Sequence, residues 1–166
     1  MKNLLPIALI FYFTLCSAQT KLEITPSGLQ PLELKTPNRP IDQLIALSKS
    51  WVPSYNKKGY DISEVTQNSL TIEARLENAY YSYNVSVKYN HDIRYSLKVI
   101  FQENQTYTLT MAIKEIYADN VLMKTTLADF FTAEGKLKDD FKDAKPSLEN
   151  TLNKIVRSYV QFITAN

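Results

Sequence analysis

The sequence has very few of the residues that usually carry metal, thiol or nucleotide chemistry. Among its 166 residues it contains one cysteine, Cys16, one histidine, His91, and three glycines. With so few of these residues, the usual zinc sites, catalytic triads and glycine-rich phosphate loops cannot be assembled. We therefore expect no metal, no cofactor and no catalytic residue of these kinds.

An excess of one charge is also absent. The chain has 19 Lys and Arg residues against 17 Asp and Glu residues, which gives a formal net charge of +2. Proteins that bind nucleic acid concentrate positive charge in a patch or stripe, whereas basic and acidic residues are interleaved along this chain. Nucleic acid is therefore not expected as a partner.

Only one long apolar run occurs, at residues 4–15. It follows Lys2 and precedes small residues that end at Ala18, which is the order of parts that a signal peptidase recognises. The sequence predicts a signal peptide at residues 1–18 that is cleaved between Ala18 and Gln19. The run is shorter than the roughly 20 residues that a helix needs to cross a bilayer, and no later segment is apolar enough. We expect a secreted or periplasmic protein with no transmembrane span after signal removal.

Cys16 leaves one alternative open, because bacterial lipoproteins are cleaved directly before a cysteine that then carries the lipid. Such sites have a small residue before the cysteine, whereas this chain has Leu15 there. A lipid anchor through Cys16 is therefore the less favoured alternative to secretion. Cleavage after Ala18 would remove the only cysteine, and with it any disulfide, thiol catalysis or thiolate metal site.

Proline and polar residues dominate the segment that follows the leader. Residues 19–39 are predicted to be extended, with one short strand at residues 32–34. The prolines of this part of the chain are Pro26, Pro31, Pro37 and Pro40. Residues 40–166 contain no repeat and no low-complexity tract, so we expect them to form a single α+β domain.

Two helices are predicted from apolar residues that recur close to every 3.6 positions. The first begins at Ile41 and stops at Pro53, and Trp51 is expected to anchor it in the core. The second follows Pro146 and Ser147, which favour helix initiation. Its apolar residues form one stripe that can cover a sheet: Leu148, Leu152, Ile155, Val156, Tyr159, Phe162 and Ile163.

Between the helices the apolar period changes to two, which is typical of half-buried strands. Alternating rows occur at residues 70–76, 81–89, 93–101 and 107–113, and a last strand is expected at 121–126. Polar connections at 77–78, 90–92 and 103–105 predict hairpins. We therefore predict an α+β fold: an antiparallel meander of about five strands, covered on one face by both helices and polar on the other. A helix-grip arrangement is the alternative.

Several of these parts together resemble a known family. They are Trp51, the strand motif Tyr95-Ser96-Leu97-Lys98-Val99, the segment Asp129-Phe130-Phe131 and the terminal helix at 148–163. In this order they resemble the secreted domain of unknown function 4468 family of Bacteroidota, over roughly residues 40–163. The resemblance implies a TBP-like fold but no known activity, cofactor or catalytic residue. A TBP-like fold does not by itself imply DNA binding, because function depends on sites rather than on folds.

The charged and titratable candidates are interpreted as solvated residues. His91 is predicted to lie in a hairpin turn in contact with solvent. Four acids that could in principle serve a two-carboxylate hydrolase are assigned to the surface, because no neighbouring pattern indicates a desolvated cleft. These acids are Glu73, Glu77, Asp139 and Asp140.

Tyrosine is the residue type that most favours an interaction role, since its ring is apolar and its hydroxyl is polar. Four tyrosines are in phase with the aliphatic residues of the strands and are expected in the core: Tyr81, Tyr83, Tyr95 and Tyr107. Tyr80 is out of phase with its row. It is therefore the candidate for surface interaction.

Three functional hypotheses follow. The first is an exported, non-enzymatic binding or interaction module, whose open sheet face or edge strand contacts an envelope or extracellular protein. The second is a carrier that holds a small hydrophobic ligand between the sheet and the C-terminal helix. The third and least favoured is a hydrolase that uses two carboxylates facing each other across a groove.

Overall fold

The computed structural model describes residues 21–166. The predicted cleavage residues Ala18 and Gln19, together with Cys16, lie outside the described residues. The signal peptide and the secreted or periplasmic location therefore remain predictions. Within residues 21–166, no helix is both long enough and apolar enough to cross a membrane.

The described chain forms one large antiparallel sheet, one small hairpin and two helices. The elements are β1 Ile24–Thr25, β2 Gly28–Leu29, β3 Leu32–Lys35, α1 Ile41–Tyr55, β4 Tyr60–Ser63, β5 Ser69–Asn84, β6 Val87–Phe101, β7 Thr106–Ala118, β8 Val121–Leu122 and α2 Ala144–Ala165. The strand order of the large sheet is β3-β7-β6-β5-β4, and β8 is paired with β7. Short 3₁₀ helices lie at Leu127–Phe130 and Asp139–Phe141. The predicted α+β fold with an antiparallel sheet is confirmed.

The core lies between the sheet and the helices, as the alternation of the strands requires. On the central strand β6, alternate residues from Ile93 to Phe101 are buried, whereas Arg94 and Lys98 between them are exposed. The stripe of α2 covers this face, and five of its side chains are completely buried: Leu148, Leu152, Ile155, Tyr159 and Ile163. Trp51 is also completely buried, and its ring meets the edge of Tyr159 with 5.3 Å between centroids. The predicted core role of Trp51 is confirmed.

The segment before α1 contributes more to the core than the sequence indicates. Leu22 and Ile24 are buried, and the strand predicted at residues 32–34 is present as β3. The amide of Asn153 in the middle of α2 holds this segment in place. Its Oδ1 accepts a hydrogen bond from the Leu22 backbone N–H at 2.8 Å, and its Nδ2 donates to the Leu22 carbonyl at 2.9 Å.

The hairpin of β5 and β6 is longer than predicted. Residues 77–78, expected to connect two strands, form an irregularity within β5, and residues 90–92 lie inside β6. The turn is instead at Val85 and Ser86, between the paired residues Asn84 and Val87. Three of the predicted rows, at residues 70–76, 81–89 and 93–101, are therefore parts of one pair of strands, and the turn divides the second of these rows. The connection predicted at 103–105 is confirmed, since β6 ends at Phe101 and β7 begins at Thr106.

The alternation of β5 continues unchanged across this irregularity, and the predicted positions of three tyrosines were therefore wrong. Leu76 is paired with Ile93 and Tyr80 with His91, so four residue steps in β5 lie opposite two residue steps in β6. Because the two extra residues complete one alternation, Tyr80 stays on the core face with Leu70, Ile72 and Ala74. Tyr80 is 4% exposed and is not a surface residue as predicted. Tyr81 is half-buried and Tyr83 is exposed, whereas Tyr95 and Tyr107 are buried as expected.

Candidate binding site at the end of the long hairpin

The far end of the β5–β6 hairpin extends past its neighbours in the sheet. β4 pairs with β5 only at residues 71–74, and the pairing of β7 with β6 stops at His91. Residues 81–84 and 87–90 therefore have no strand partner in the described chain other than each other. We call residues 80–91 the hairpin end. Its backbone edges are those of a two-stranded ribbon, which is marginally stable without further packing.

The turn of the hairpin end has an unusual sequence. Val85 and Ser86 both have positive φ, at 45° and 68°, which is the backbone of a two-residue type I′ turn. Such turns favour Asn-Gly, because a β-branched residue is strained in the left-handed region. Val85 is nevertheless 92% exposed. The turn thus presents an apolar side chain to solvent on a backbone that disfavours it.

Exposed apolar side chains continue along the hairpin end and onto β8. Tyr83 is 48% exposed and Val87 52%. The further exposed members of this group are Val85, Tyr89, Val121, Leu122 and Met123. Single exposed apolar residues are ordinary on a protein surface, but a group of them at one end of a molecule is typical of an interaction site.

A cavity of about 360 Å³ lies beside the hairpin end, where β5, β6 and β7 approach the start of α2. Its walls are partly aromatic or aliphatic and partly polar. The lining residues are Tyr80, Ser82, Tyr83, Asn84, His91, Ile116, Met123, Thr125, Asp140, Phe141 and Ala144. Asp140 is the one acid among them, and they include no lysine and no arginine. The cavity therefore combines ring faces with neutral hydrogen-bonding groups and a single carboxylate.

Three rings that line this cavity, those of Tyr80, His91 and Phe141, are stacked on neighbouring rings. The Tyr80 ring is stacked on the His91 imidazole with 4.6 Å between centroids, and Phe130 is stacked on Phe141 at 4.3 Å. Tyr80 and Phe130 connect the two pairs at 6.4 Å. Burial raises the pKa of Tyr80 to about 12, so its hydroxyl is un-ionised at neutral pH. Tyr80 is thus part of the wall of a site, although it is not on the open surface.

His91 lies in strand β6 and not in a turn, so its predicted position in solvent was wrong. Its Nε2 is 2.8 Å from the Ser82 Oγ, and its Nδ1 is buried with no hydrogen-bond partner. A buried N–H without a partner is costly, so the neutral tautomer that protonates Nε2 is favoured. In that tautomer Nε2 donates to Ser82, and the Ser82 hydroxyl is free to donate elsewhere. Desolvation lowers the pKa of His91 although Asp119 and Asp92 oppose it.

The acids considered in the sequence are separated in the structure. On the open sheet face Glu73 accepts a hydrogen bond from Arg94 at 2.8 Å, and Glu77 forms an ion pair with Lys58. Asp139 and Asp140 are exposed in a 3₁₀ helix, and only Asp140 lines the cavity. In residues 21–166 no group of three or more His, Cys, Asp or Glu side chains is arranged to hold a metal ion.

The open face of the sheet is polar, and its charges are paired with each other. Arg75 donates to Asp92 at 2.9 Å and lies over the Tyr117 ring, 4.4 Å from its centroid. Lys98 donates to Glu64 at 3.2 Å. These charged groups are therefore already paired within the sheet. The sequence predicts this polar face, whereas no sequence pattern indicates the cavity. Of residues 90–92, whose polar sequence predicts a turn, only His91 lines the cavity.

Comparison with known proteins supports the fold. No protein-family model matches the chain, and no curated protein matches it. A TBP-like protein from Parabacteroides distasonis is similar in structure, with a TM-score of 0.57 at 12% identity over 81% of this chain and 90% of that protein. A DUF4468 family protein from Bacteroides ovatus gives a TM-score of 0.61 at 11% identity over 89% and 92%. The TBP-like fold that the sequence resemblance implied is confirmed, and at these identities the likeness concerns the fold alone.

Proposed function

We propose that this protein is an exported, non-enzymatic binding module that contacts an envelope or extracellular protein through its hairpin end. The observation that carries the proposal is the projection of residues 80–91 beyond the paired part of the sheet, with exposed tyrosine and valine side chains. Tyrosine is enriched at protein interfaces because its ring buries a large area while its hydroxyl can still form a hydrogen bond. Burying this group would also remove exposed apolar area from water.

The strained turn supports the same site. A left-handed backbone conformation costs an L-residue roughly 1–2 kcal/mol, and Val85 gains no packing in return because it is 92% exposed. Positions that break a local rule without any stabilising contact are found most often at functional sites. The exposed valine is then explained by a partner that covers it.

The other two hypotheses have less support. A hydrophobic carrier needs space between the sheet and α2, but five inward side chains of α2 are completely buried there. The Ser82 and His91 pair resembles half of a catalytic triad, but an acid must hold Nδ1 to orient the base, and His91 Nδ1 has no partner. We therefore propose binding and not catalysis.

Photo-crosslinking in the producing cell tests the proposal. A benzophenone amino acid at Val87, on the hairpin end, should give one discrete adduct, and the same residue at Thr108, on the open sheet face, should not. Adding Tyr83→Ser and Tyr89→Ser should reduce the Val87 adduct at least about tenfold, because tyrosine is enriched among the few interface residues whose truncation costs more than about 1 kcal/mol. Equal adducts from both positions, or an adduct that the two tyrosine substitutions leave unchanged, would contradict the proposal.

A further inference from the structure

We infer that the cavity beside the hairpin end receives a cationic group of its ligand, an ammonium or a guanidinium. The inference rests on the proposed function, because Tyr83 and Asn84 belong to both the hairpin end and the cavity wall. Its volume of about 360 Å³ lies within the range of small-ligand sites. It is therefore large enough for a lysine or arginine side chain or for a small amine.

The charge of the wall favours a cation over an anion. Asp140 is the single formal charge among the lining residues at neutral pH, because the wall has no lysine or arginine and His91 is held neutral by its burial. Two further acids act on His91 from nearby, Asp92 and Asp119. Asp92 is paired with Arg75, however, and Asp119 is not among the lining residues. At the cavity wall an anion would meet the Asp140 carboxylate and no base, whereas a cation would be attracted to it.

The N-terminus of α2 is the one feature that would favour an anion, since Ala144 lines the cavity at the start of this helix. Asp143 is the N-cap residue of this helix, and its carboxylate offsets the partial positive charge of the helix end. The lysines of this segment, Lys138, Lys142 and Lys145, are not among the residues that line the cavity. Asp140 therefore remains the one formal charge of the cavity wall.

Aromatic faces complete a cation site. Tyr80 and Phe141 line the cavity together with Met123, and cations are attracted to the faces of aromatic rings and to thioether sulfur. The same hairpin already shows this contact on its opposite face, where the Lys88 ammonium lies 4.5 Å from the centroid of the Tyr81 ring. A ring face, a carboxylate and neutral hydrogen-bonding groups are together the chemistry of amine recognition.

Nuclear magnetic resonance titration of the untagged chain tests the inference. The probe is n-butylammonium chloride, with butanol as its neutral analogue and sodium butyrate as its anionic analogue. We expect saturable shifts of the Tyr83, Asn84, Thr125 and Asp140 amides with butylammonium alone, at concentrations up to about 100 mM, which would saturate a site with a Kd of a few mM. Butanol or butyrate shifting the same amides to the same extent would overturn the inference, as would the absence of shifts with butylammonium.

Neighbouring acids provide a matched pair of variants. Asp140→Asn removes the carboxylate that lines the cavity, and Asp139→Asn removes the same charge one residue away, where it does not line the cavity. We expect at least a tenfold loss of butylammonium affinity for Asp140→Asn and less than a twofold change for Asp139→Asn. Equal effects of the two variants would indicate general charge attraction and contradict a site.

Two further comparisons distinguish the possible sources of the cation and show which of the two proposals fails. Nα-acetyl-lysine methylamide binding more tightly than butylammonium indicates a side chain of a protein partner, whereas equal affinities indicate a free amine. If Val87 crosslinks normally but butylammonium causes no shifts, the cation inference fails and the proposed function stands. If butylammonium binds but no adduct forms, the proposed protein partner fails and the cation site stands.

Discussion

At the scale of single residues, His91 connects the cavity to the stability of the fold. It is the only histidine of the chain, and desolvation lowers its pKa below the ordinary value of 6.5. The unfolded chain therefore binds a proton more readily than the folded chain as the pH falls through this range. The stabilising contribution of neutral His91 is complete above the unfolded pKa and is lost as the pH falls below it.

This histidine gives a direct pH prediction. The free energy of unfolding of the untagged wild-type chain should decrease between pH 7.5 and pH 5.5, a range in which few side chains other than histidine titrate. Replacing His91 by Gln should flatten that decrease, because glutamine does not titrate. Urea unfolding at the two pH values checks this. A variant that keeps the full pH dependence of the wild type would show that His91 is not its cause.

At the scale of elements, the turn of the hairpin end is the clearest departure from local rules. Changing Val85 to Asn and Ser86 to Gly should raise the free energy of unfolding by about 1 kcal/mol, because these residues suit positive φ. Val87→Asn is the matched control, since it makes the same exchange at an extended position and should not stabilise. Chemical denaturation of the wild type, the double variant and Val87→Asn checks this. An unchanged or lower stability of the double variant would show that the turn is not strained.

The same turn shows what the sequence could and could not predict. The strands and both helices were predictable, because burial on one face imposes alternation or a 3.6-residue period on the apolar residues. The turn was not predictable, because Val85 and Ser86 are not the residue types that mark such turns. Asn90 and Asp92 are of those types and yet lie in a strand. Pairing along a long hairpin overrode the local preference there. The cavity depends on that pairing, so its residues could not be grouped from the sequence.

At the scale of the whole molecule, Asn153 joins the first described residues to the last helix. Its amide forms hydrogen bonds to both backbone groups of Leu22, and Nδ2 also donates to the Glu149 carbonyl at 2.7 Å. Ile24 N–H in turn donates to the Glu149 carboxylate at 2.8 Å. Side chains of α2 thus take the place of a neighbouring strand for this segment, which satisfies backbone groups that would otherwise be buried without partners.

Removing this amide should weaken the whole fold. We expect Asn153→Leu to lower the free energy of unfolding by about 2–3 kcal/mol, because the buried N–H and carbonyl of Leu22 would lose their partners. Asn150→Leu makes the same change at an exposed position of the same helix and should alter stability by less than about 0.5 kcal/mol. Urea unfolding compares them, and amide hydrogen exchange at Leu22 should accelerate only in Asn153→Leu. Equal losses in the two variants would rule out this role for Asn153.

The irregularity in β5 also constrains how the length of this protein can vary. Two residues can be removed between Leu76 and Tyr80, or two more added, without changing which side chains beyond that point face α2. A change of one residue would instead direct Tyr81 and Tyr83 inward and turn Tyr80 and Ser82 outward, dismantling the cavity wall. Relatives that keep this site are therefore expected to differ in length here by even numbers of residues. An alignment of such relatives would show gaps of two at this position.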